Sequence, residues 1–279
     1  MKTKEKNRFT IELEMENNQQ PFFSICIPTY NSVFFLKKLL DSLIIQSFID
    51  FEIVISDDST TDEVMNYCKE IEDARVIYLK HQSIHSATEN WNFAIQKATG
   101  KYRMLVHHDD YFSDHKILEQ IVEFHNKNGE KDAIFLGFVN ENKSEKFYYG
   151  KFSIQRILKQ PDKLLFVNYL SAPSCLIIHE TVTIDYNDKL KWLVDVDFYQ
   201  RLMINYKNIA YVPHLKMVIG GGEERITNTI SNKLILSEFL YLRKKNYYKK
   251  SYAIFLIKLM KLKIILFEFI KYKLNGNTK

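Results

Sequence analysis

Residues 102–114, with the sequence YRMLVHHDDYFSD, are the most informative segment for predicting the fold of this chain. An apolar run here leads straight into two adjacent carboxylates, Asp109 and Asp110. Asp is a poor strand residue, so an Asp pair at the end of a hydrophobic strand indicates the edge where a parallel sheet binds its ligand. Two hard oxygen ligands at that edge suit Mg²⁺ or Mn²⁺ with a bound diphosphate. An Asp-rich turn that caps the next helix is the alternative, so other segments must distinguish the two interpretations.

Apolar runs and helical spacing alternate through the first half of the chain. Short continuous apolar runs predict strands at residues 22–27, 51–55, 75–79, 102–106 and 133–138. Leucine spacing and capping residues predict helices at residues 36–44, 61–70, 86–98 and 114–126. This order predicts right-handed crossovers and a mainly parallel, doubly wound α/β sheet.

The pattern is less regular after residue 140. We expect a polar loop, a short helix, a strand, a helix and an extended segment at residues 141–151, 161–170, 174–178, 195–205 and 211–219. Three glycines follow at 220–222, where a mobile lid and a plain flexible loop are both compatible with the sequence. The remaining residues are predicted to be helical.

Composition places the chain among ordinary folded proteins. Its 279 residues suffice for one substantial core, and 46% hydrophobic and 26% charged residues are typical values for a globular protein. Three cysteines without CxxC spacing argue against a disulfide framework or a zinc site and indicate a reducing compartment. Residues 1–20 lack the apolar region of a secretory signal, and no run approaches the ~20 apolar residues of a membrane span.

Charge is distributed unevenly along the chain. Residues 243–279 contain eleven Lys or Arg and one acidic residue, a net charge of +10. The whole chain carries +5, so residues 1–242 carry a net charge of −5. This asymmetry indicates an anionic surface, such as a membrane leaflet, as a partner of the tail rather than a nucleic-acid-binding core. Packing of the tail's apolar side on the main domain is the alternative.

Three strand ends bear the residues expected to form a binding site. In a parallel sheet the loops at 28–31, 57–58 and 109–110 converge on one edge. A nucleotide-sugar needs a flat face for its base, an acceptor for the base N–H and a cation for its diphosphate. Tyr30 can supply the first, Asp57 or Asp58 the second, and the pair Asp109/Asp110 the third.

Several motifs in this order resemble those of glycosyltransferase family 2 enzymes, which have the GT-A fold. The similar segments are SICIPTYN at 24–31, SLIIQSF at 42–48, DDSTTD at 57–62, ENWNFAI at 89–95 and ATGKY at 98–102. The resemblance covers about residues 22–205. It implies a Rossmann-like, mainly parallel sheet flanked by helices, followed here by a basic helical C-terminal tail.

Two positions depart from the family's pattern. Many members have Asp-x-Asp-Asp as the metal motif, and here His107 replaces the first Asp. His107 can act as a neutral hydrogen-bonding group toward the ribose or as a borderline metal ligand, or it can simply be hydrogen-bonded at the strand end. Ser59 replaces the family's Gly in Asp-Asp-Gly-Ser, which weakens the expected turn geometry.

Residues 192–202, WLVDVDFYQRL, resemble the segment that contains the family's catalytic base. Asp195 takes the place of that base, and Val194 stands where the family has Glu. An ordinary helix N-cap is the alternative role for Asp195. Asp197 is expected to pair with Arg201 at i,i+4.

The resemblance implies an inverting transfer from a nucleotide-sugar, UDP-linked by expectation, to a glycan or lipid-linked acceptor. The metal, Mg²⁺ or Mn²⁺, would be held by Asp109 and Asp110, with Asp195 as general base. The implied nucleotide-sugar-binding residues are Pro28, Thr29, Tyr30, Asn31, Asp57, Asp58, Asn90, His107 and Asp109.

The expected organisation is a polar extension at 1–20, a catalytic domain at 21–228 and C-terminal helices at 229–279. Within the catalytic domain, residues 21–138 would bind the nucleotide-sugar and 139–228 the acceptor. We expect a cytoplasmic protein, peripheral on the inner face of the membrane. Two alternatives remain: a catalytically inactive nucleotide-sugar-binding or scaffold relative, and a metal-dependent phosphohydrolase with further ligands among His81, His85 and His115.

Overall fold

A computed structural model describes residues 20–81, 86–141, 156–165, 168–221 and 230–244. Within these ranges the strands form one sheet in the order β3-β2-β1-β4-β7-β6-β8-β5. The strands are β1 (Phe23–Thr29), β2 (Phe51–Asp57), β3 (Val76–Lys80), β4 (Tyr102–Leu105), β5 (Tyr111–Phe112), β6 (Ala133–Asn140), β7 (Leu176–His179) and β8 (Ile209–Ile219). The helices are α1 (Val33–Ile44), α2 (Glu63–Lys69), α3 (Ala87–Lys97), α4 (Ile117–Asn128), α5 (Val194–Asn205) and α6 (Asn232–Lys244).

The first half of the sheet is parallel, as the alternation of strands and helices predicts. Strands β3, β2, β1 and β4 pair in parallel, and Thr29 at the end of β1 lies beside Asp57 at the end of β2. Both β1 and β2 are buried along their whole length, because helices cover both faces. The loops that follow these strands therefore leave the sheet at one edge.

The second half of the sheet is mixed. Strand β7 pairs antiparallel with β4 and with β6, β6 pairs in parallel with β8, and β8 pairs antiparallel with β5. The predicted α/β class is confirmed, with parallel pairing concentrated in the first half. The predicted strand at 174–178 begins two residues later, because Pro173–Cys175 forms a 3₁₀ helix that leads into β7.

Two buried clusters show that helices pack on both faces of the sheet. Successive residues of a strand belong to different clusters, as Ile25 and Cys26 do, because their side chains point to opposite faces of the sheet. One cluster contains residues of α1, α2 and α4, and the other contains residues of α3, α5 and α6. The chain thus builds a three-layer α/β/α arrangement.

Strand β8 contains a proline at a position where a regular ladder would need an N–H donor. The register with β6 shifts there: Leu136 pairs with Val212, and the next residue, Gly137, pairs with Lys216. The intervening residues form an irregularity that includes Pro213, which explains how the strand tolerates it. A Cβ on Gly137 would lie 2.2 Å from the Pro213 carbonyl oxygen, so a glycine is required opposite the irregularity.

Part of the predicted C-terminal segment packs on the main domain. Phe239 and Leu242 of α6 are buried in the same cluster as residues of α5. The lysines on which the membrane prediction rests, from 245 onward, lie outside the described residues, as do the extension at 1–19 and most of the predicted loop at 141–151. Among the described helices, none combines the length and the apolar character needed to cross a bilayer.

Candidate active site

The loops after β1 and β2 are joined by hydrogen bonds between neighbouring turns. The N–H of Asp58 donates to the carbonyl oxygen of Thr29 at 3.1 Å. Asn31 has a left-handed backbone with φ of 48°, and its Oδ1 accepts from the N–H of Thr60 at 2.9 Å. Tyr30 is 47% exposed, so its ring is accessible to a ligand.

Ser59 has a defined role in this turn. Its hydroxyl oxygen accepts from the N–H of Asn31 at 2.8 Å, which ties the β2 loop to the β1 loop. A glycine has no side chain for this bond. The departure from the family's Gly therefore strengthens the junction between the two loops, contrary to the expectation that it weakens the turn.

Asp57 and Asp58 are both buried, with exposures of 0% and 4%. Asp57 is fully buried, its Oδ1 accepts from the N–H of Ser59 at 2.9 Å, and its Oδ2 accepts from Tyr78 at 2.7 Å and Lys80 at 3.2 Å. Both oxygens thus already have partners within the protein. An incoming N–H group would have to share one of them, so Asp57 acts chiefly to fix the loop.

Asn90, on α3, bridges the ends of β1 and β2. Its amide nitrogen donates to the carbonyl oxygens of Thr29 at 3.3 Å and Ser56 at 3.1 Å, and its Oδ1 accepts from the hydroxyl of Ser56. These bonds occupy the amide with protein groups. Asn90 therefore holds the two strand ends in place, and its predicted contact with the donor stays a prediction.

The metal motif follows β4 at the same edge. His107, Asp109 and Asp110 each offer a ligand atom, and these atoms all lie within 4.8 Å of one another. His108 Nδ1 lies 3.4 Å from the carbonyl oxygen of Pro28, which joins this loop to the β1 loop. The structure thus brings together the three loops that the sequence places at one edge.

Asp110 is the most constrained member of the group. It is 2% exposed, its Oδ2 accepts from the Ser174 hydroxyl at 2.5 Å, and its Oδ1 accepts from the N–H of Gly220 at 2.9 Å. Ser174 also accepts from the N–H of His107 at 3.0 Å. One serine therefore orients two members of the motif, as groups behind a metal site do.

The donor set is chemically suited to a divalent cation. Two carboxylates provide hard oxygen ligands for Mg²⁺ or Mn²⁺, and an imidazole is a ligand that Mn²⁺ accepts better than Mg²⁺ does. His107 and Asp109 are partly exposed residues, although Nε2 of His107 is itself buried. The residues present fit the predicted metal.

His107 packs against Trp91, which lies on α3, with the two rings tilted. The ring centroids are 4.6 Å apart with an interplanar angle of 38°, and Trp91 in turn meets Tyr186 edge-on at 5.4 Å. This ring contact gives His107 a packing role that an Asp side chain, which has no ring, could not fill. It also extends an aromatic row from the metal motif toward the candidate base, because Tyr186 lies near Asp195.

Asp195 is the second residue of α5, whose N-cap position is Leu193. It is therefore not the cap residue, contrary to the alternative role for it. The side chain is partly exposed at the surface, yet burial of its carboxyl group raises the pKa of Asp195 to about 7. A carboxyl group with this pKa can accept a proton at neutral pH.

Tyr199 is influenced electrostatically by both the candidate base and the metal motif. Burial, and then the charge of Asp195, raises the pKa of Tyr199 well above its ordinary value, and Asp110 adds a smaller contribution. The charges of both carboxylates therefore act on this one buried hydroxyl. The hydroxyl itself donates to the Ser171 carbonyl oxygen at 3.1 Å.

Asp197 has the predicted role of an ion-pair partner. Its Oδ2 accepts from Nε of Arg201 at 2.8 Å, one helical turn along α5. Arg201 also donates to the carbonyl oxygen of Asp185 at 2.7 Å. The prediction of an i,i+4 pair is confirmed, and the pair fixes α5 against the segment before it.

The phosphohydrolase alternative needs further ligands near the metal motif. In the parts of the chain that the structure describes, the group of three around Asp109 has no additional His, Cys, Asp or Glu ligand. His81 stacks instead on Phe93 at 4.2 Å, and His115 is paired with Asp114 at 3.7 Å. His85 lies outside the described residues.

Three contributors to the site were not predicted as site residues. Ser174 and the N–H of Gly220 orient Asp110, and Glu238 of α6 contacts the start of α5. No local signal marks Ser174, since its partner lies 64 positions earlier in the sequence. Glu238 has a weak signal, because it is a lone acid within the apolar stretch LILSEFLYL at 234–242.

Comparison with known proteins supports the resemblance. The family model described as Glycosyl transferase family 2 matches residues 24–184. The chain is 30% identical over 163 residues to the Escherichia coli UDP-Glc:alpha-D-GlcNAc-diphosphoundecaprenol beta-1,3-glucosyltransferase WfaP. That alignment covers 58% of this chain and 60% of WfaP, so the chain matches less than two thirds of the relative's length.

Solved structures share the fold at low sequence identity. Residues 1–349 of S. aureus TarS in complex with UDP-GlcNAc match with a TM-score of 0.62 and 20% identity, over 83% of this chain and 69% of TarS 1–349. The Pyrobaculum calidifontis mannosyltransferase PcManGT, in complex with GDP-Man and Mn²⁺, matches with a TM-score of 0.58 and 13% identity, over 81% and 65% of the two chains. These matches show the GT-A fold. Since the family model spans more than half of the sequence, the chain belongs to glycosyl transferase family 2.

Proposed function

We propose that this protein is an inverting glycosyltransferase that moves a sugar from a UDP-linked donor to a hydroxyl group of a glycan or lipid-linked acceptor. The observation that carries this proposal is the row of ring contacts from His107 through Trp91 and Tyr186 to Phe198, which connects the metal motif to the helix that contains Asp195. An inverting transfer needs its base and its diphosphate-binding group on opposite sides of the anomeric carbon. We assign these two roles to Asp195 and to the group of Asp109 and Asp110.

Asp195 acts as the general base in this proposal. The acceptor oxygen attacks the anomeric carbon while its proton passes to the Asp195 carboxylate. The bond to the diphosphate breaks at the same carbon, and the nucleoside diphosphate leaves with the electron pair. Because burial raises the pKa of Asp195 to about 7, roughly half of this carboxyl group is ionised at neutral pH.

Asp109 and Asp110, together with His107, would hold Mg²⁺ or Mn²⁺. The bound cation supplies positive charge that stabilises the diphosphate leaving group. Asp110 reaches this role already oriented by Ser174 and Gly220. Preset ligands of this kind need little rearrangement when the metal binds.

The donor nucleotide would bind across the loops after β1, β2 and β4. Tyr30 would offer its exposed ring for the base, and Asp58, whose N–H donates to Thr29, would offer its carboxylate. Pro28, Thr29 and Asn31 shape the turn, while Asp57 and Asn90 keep the two strand ends together. The donor sugar, whether a hexose or an N-acetylhexosamine, is left open by these contacts.

The acceptor is proposed from the relatives and from charge. WfaP is named for transfer to a diphosphoundecaprenol-linked sugar, and TarS binds UDP-GlcNAc. The net charge of +10 in residues 243–279 favours the anionic inner face of a membrane, where a lipid-linked acceptor is found. We therefore propose a cytoplasmic location with peripheral contact to that face, and no nucleic-acid partner.

A panel of nucleotide-sugars tests the proposal directly. The purified chain is incubated with UDP-glucose, UDP-N-acetylglucosamine, UDP-galactose or GDP-mannose and a sugar-diphospholipid acceptor, with and without Mn²⁺. Metal-dependent transfer is expected from a UDP-linked donor, with loss of transfer in Asp195→Asn and in Asp110→Ala. Glu70→Gln, an exposed substitution, should retain wild-type activity. Full transfer by Asp195→Asn would overturn the proposed mechanism.

A catalytically inactive relative is the second candidate, and one observation favours it. His107 replaces the acidic residue and packs against Trp91, which is a structural role. An inactive relative would bind UDP with metal, yet would neither transfer sugar nor hydrolyse the donor. Measurement of UDP binding alongside the transfer assay separates the two candidates.

A further inference from the structure

We infer that Glu238, on helix α6, is a positioning residue for Asp195. The inference rests on the proposed function, because it requires Asp195 to be the base. Glu238 lies 43 positions after Asp195 in the sequence and is only 3% exposed. Its carboxylate contacts the backbone just before the helix that bears the base.

The contacts form a carboxylate cradle for three successive N–H groups. Oε1 of Glu238 accepts from the N–H of Lys191 at 2.7 Å and from that of Trp192 at 3.3 Å. Oε2 accepts from the N–H of Trp192 at 3.1 Å and from that of Leu193 at 2.9 Å. Both oxygens are thus used by backbone donors.

These donors include one that a helix cannot satisfy by itself. The first N–H groups of a helix have no partner within it, and the N-cap residue here, Leu193, provides no side-chain cap. Glu238 performs this capping from another helix. A carboxylate at a helix N-terminus is also favoured by the helix dipole.

Because the Glu238 carboxylate is buried, it favours one position of the backbone that it contacts. A carboxylate out of contact with water is unfavourable unless hydrogen bonds compensate for the lost hydration. Glu238 meets that condition only when residues 191–193 keep their present positions. The first turn of α5, which contains Asp195, is therefore held at the place that Glu238 defines.

Arg201 holds α5 from its other side. It joins Asp197 on α5 to the carbonyl oxygen of Asp185 in the preceding segment. Phe239, the neighbour of Glu238, is buried in the cluster that contains Phe198 of α5. Helix α6, beyond the predicted domain boundary at 228, thus belongs to the support of the candidate base.

Glu238→Gln tests the inference with a change of similar size. The new NH₂ group cannot accept from a backbone N–H, so one of the two acceptor atoms is lost while the amide oxygen still accepts. We expect kcat to fall ~10- to 100-fold, as displacement of a catalytic group does, while the KM for the nucleotide-sugar stays unchanged. The acid limb of the kcat profile should also move to lower pH, because a loosened first turn admits water to Asp195.

Glu70→Gln is the matched control, since it makes the same chemical change at an exposed helix end far along the chain. It should leave kcat, KM and the pH profile unchanged. If Glu238→Gln does not fold, Glu238→Asp replaces it, because that variant keeps the charge and shortens the reach by one methylene. Melting temperature and UDP binding identify folded variants.

The double variant Asp195→Asn/Glu238→Gln decides whether Glu238 acts through the base. We expect its kcat to equal that of Asp195→Asn. A further loss as large as that caused by Glu238→Gln alone would overturn the inference. The inference would also be overturned if Glu238→Gln had the wild-type kcat and pH profile. Equal losses in kcat and UDP affinity, with an unchanged pH profile of kcat, would overturn it as well. Activity in Asp195→Asn, or none in the wild type, would instead refute the proposed function and the inference with it.

Discussion

Gly220 lies so close to Asp109 that a Cβ on this glycine would come within 2.0 Å of the Asp109 carbonyl oxygen. The N–H of Gly220 meanwhile donates to Asp110 at 2.9 Å. The end of β8 is therefore joined to the metal motif by an approach that only glycine permits. The first residue of the glycine-rich segment, Gly220, is thus a buried residue in contact with the metal motif. Residues 222–229 lie outside the described part of the chain.

Gly220→Ala should therefore disrupt the metal motif. A contact of 2.0 Å with backbone cannot be relieved by side-chain rotation, so the Asp109–Asp110 loop or the end of β8 must shift. We expect kcat/KM in the Mn²⁺-supported reaction to fall ~100-fold.

Gly129→Ala is the control for this variant. Gly129 has φ of 71° and open space around its Cα, so alanine costs about 1–2 kcal/mol of stability from backbone strain and leaves kcat/KM unchanged. Full activity in Gly220→Ala would show that the metal motif does not depend on this contact.

Ser174→Ala should weaken metal binding through Asp110. The variant removes the 2.5 Å hydrogen bond to Asp110 and the acceptor for the His107 N–H, both in a fully buried place. We expect a loss of about 1–3 kcal/mol in the free energy of unfolding. The Mn²⁺ concentration for half-maximal activity should rise ~10- to 100-fold. Ser237→Ala, at an exposed serine, should change neither quantity.

The rate of transfer should rise with pH through about 7, the value to which burial raises the pKa of Asp195. The protonated form dominates below this pH and cannot accept the acceptor's proton. Between pH 6 and pH 8 we expect kcat to increase roughly tenfold, as the ionised fraction does. A kcat that is constant over this range would exclude Asp195 as the titrating base.

The same pKa predicts how Asp195→Asn changes stability. A folded-state pKa above the unfolded value means that the native protein binds more protons, so stability is lost as pH rises from about 4 to about 7. Asn has no such titration. The melting temperature of Asp195→Asn should exceed that of the wild type at pH 8, and the difference should shrink at pH 5. An equal difference at both pH values would contradict the raised pKa.

His107→Asp should change the metal preference. A third hard oxygen ligand favours Mg²⁺ relative to the set with an imidazole. We expect the Mg²⁺ concentration for half-maximal activity to fall, with a smaller change for Mn²⁺. His107→Phe keeps an aromatic ring against Trp91 and serves as the control for this ring contact. If both variants retain wild-type metal dependence, His107 is not a ligand.

The sequence was most informative where strands are buried on both faces. The observed starts and ends of β1, β2 and β4 lie within two residues of the predicted ones, because continuous apolar runs mark such strands directly. The metal motif and Asp195 were likewise assigned from local motifs. Their burial and their neighbours depend on the fold and became visible only in the structure.

Contacts between distant segments were beyond sequence reasoning. Strand β5 has two residues and pairs with β8, more than 100 positions away, so no local pattern announces it. The predicted helix at 114–126 begins instead at Ile117. The predicted helix at 161–170 is a 3₁₀ helix, Pro161–Leu165, within the described residues. Short elements of this kind are set by tertiary contacts more than by propensity.

The reversed direction of β7 has a consequence for how such a protein can diversify. Because β7 runs against β4, its first residues stand at the edge where β1, β2 and β4 finish, and Ser174 reaches Asp110 there. The turns after β1 and β2 are fixed by their own hydrogen bonds, independently of the sequence that precedes β7. Under the proposed function, changes of length before β7 would therefore alter the choice of acceptor and leave the proposed donor-binding turns unchanged.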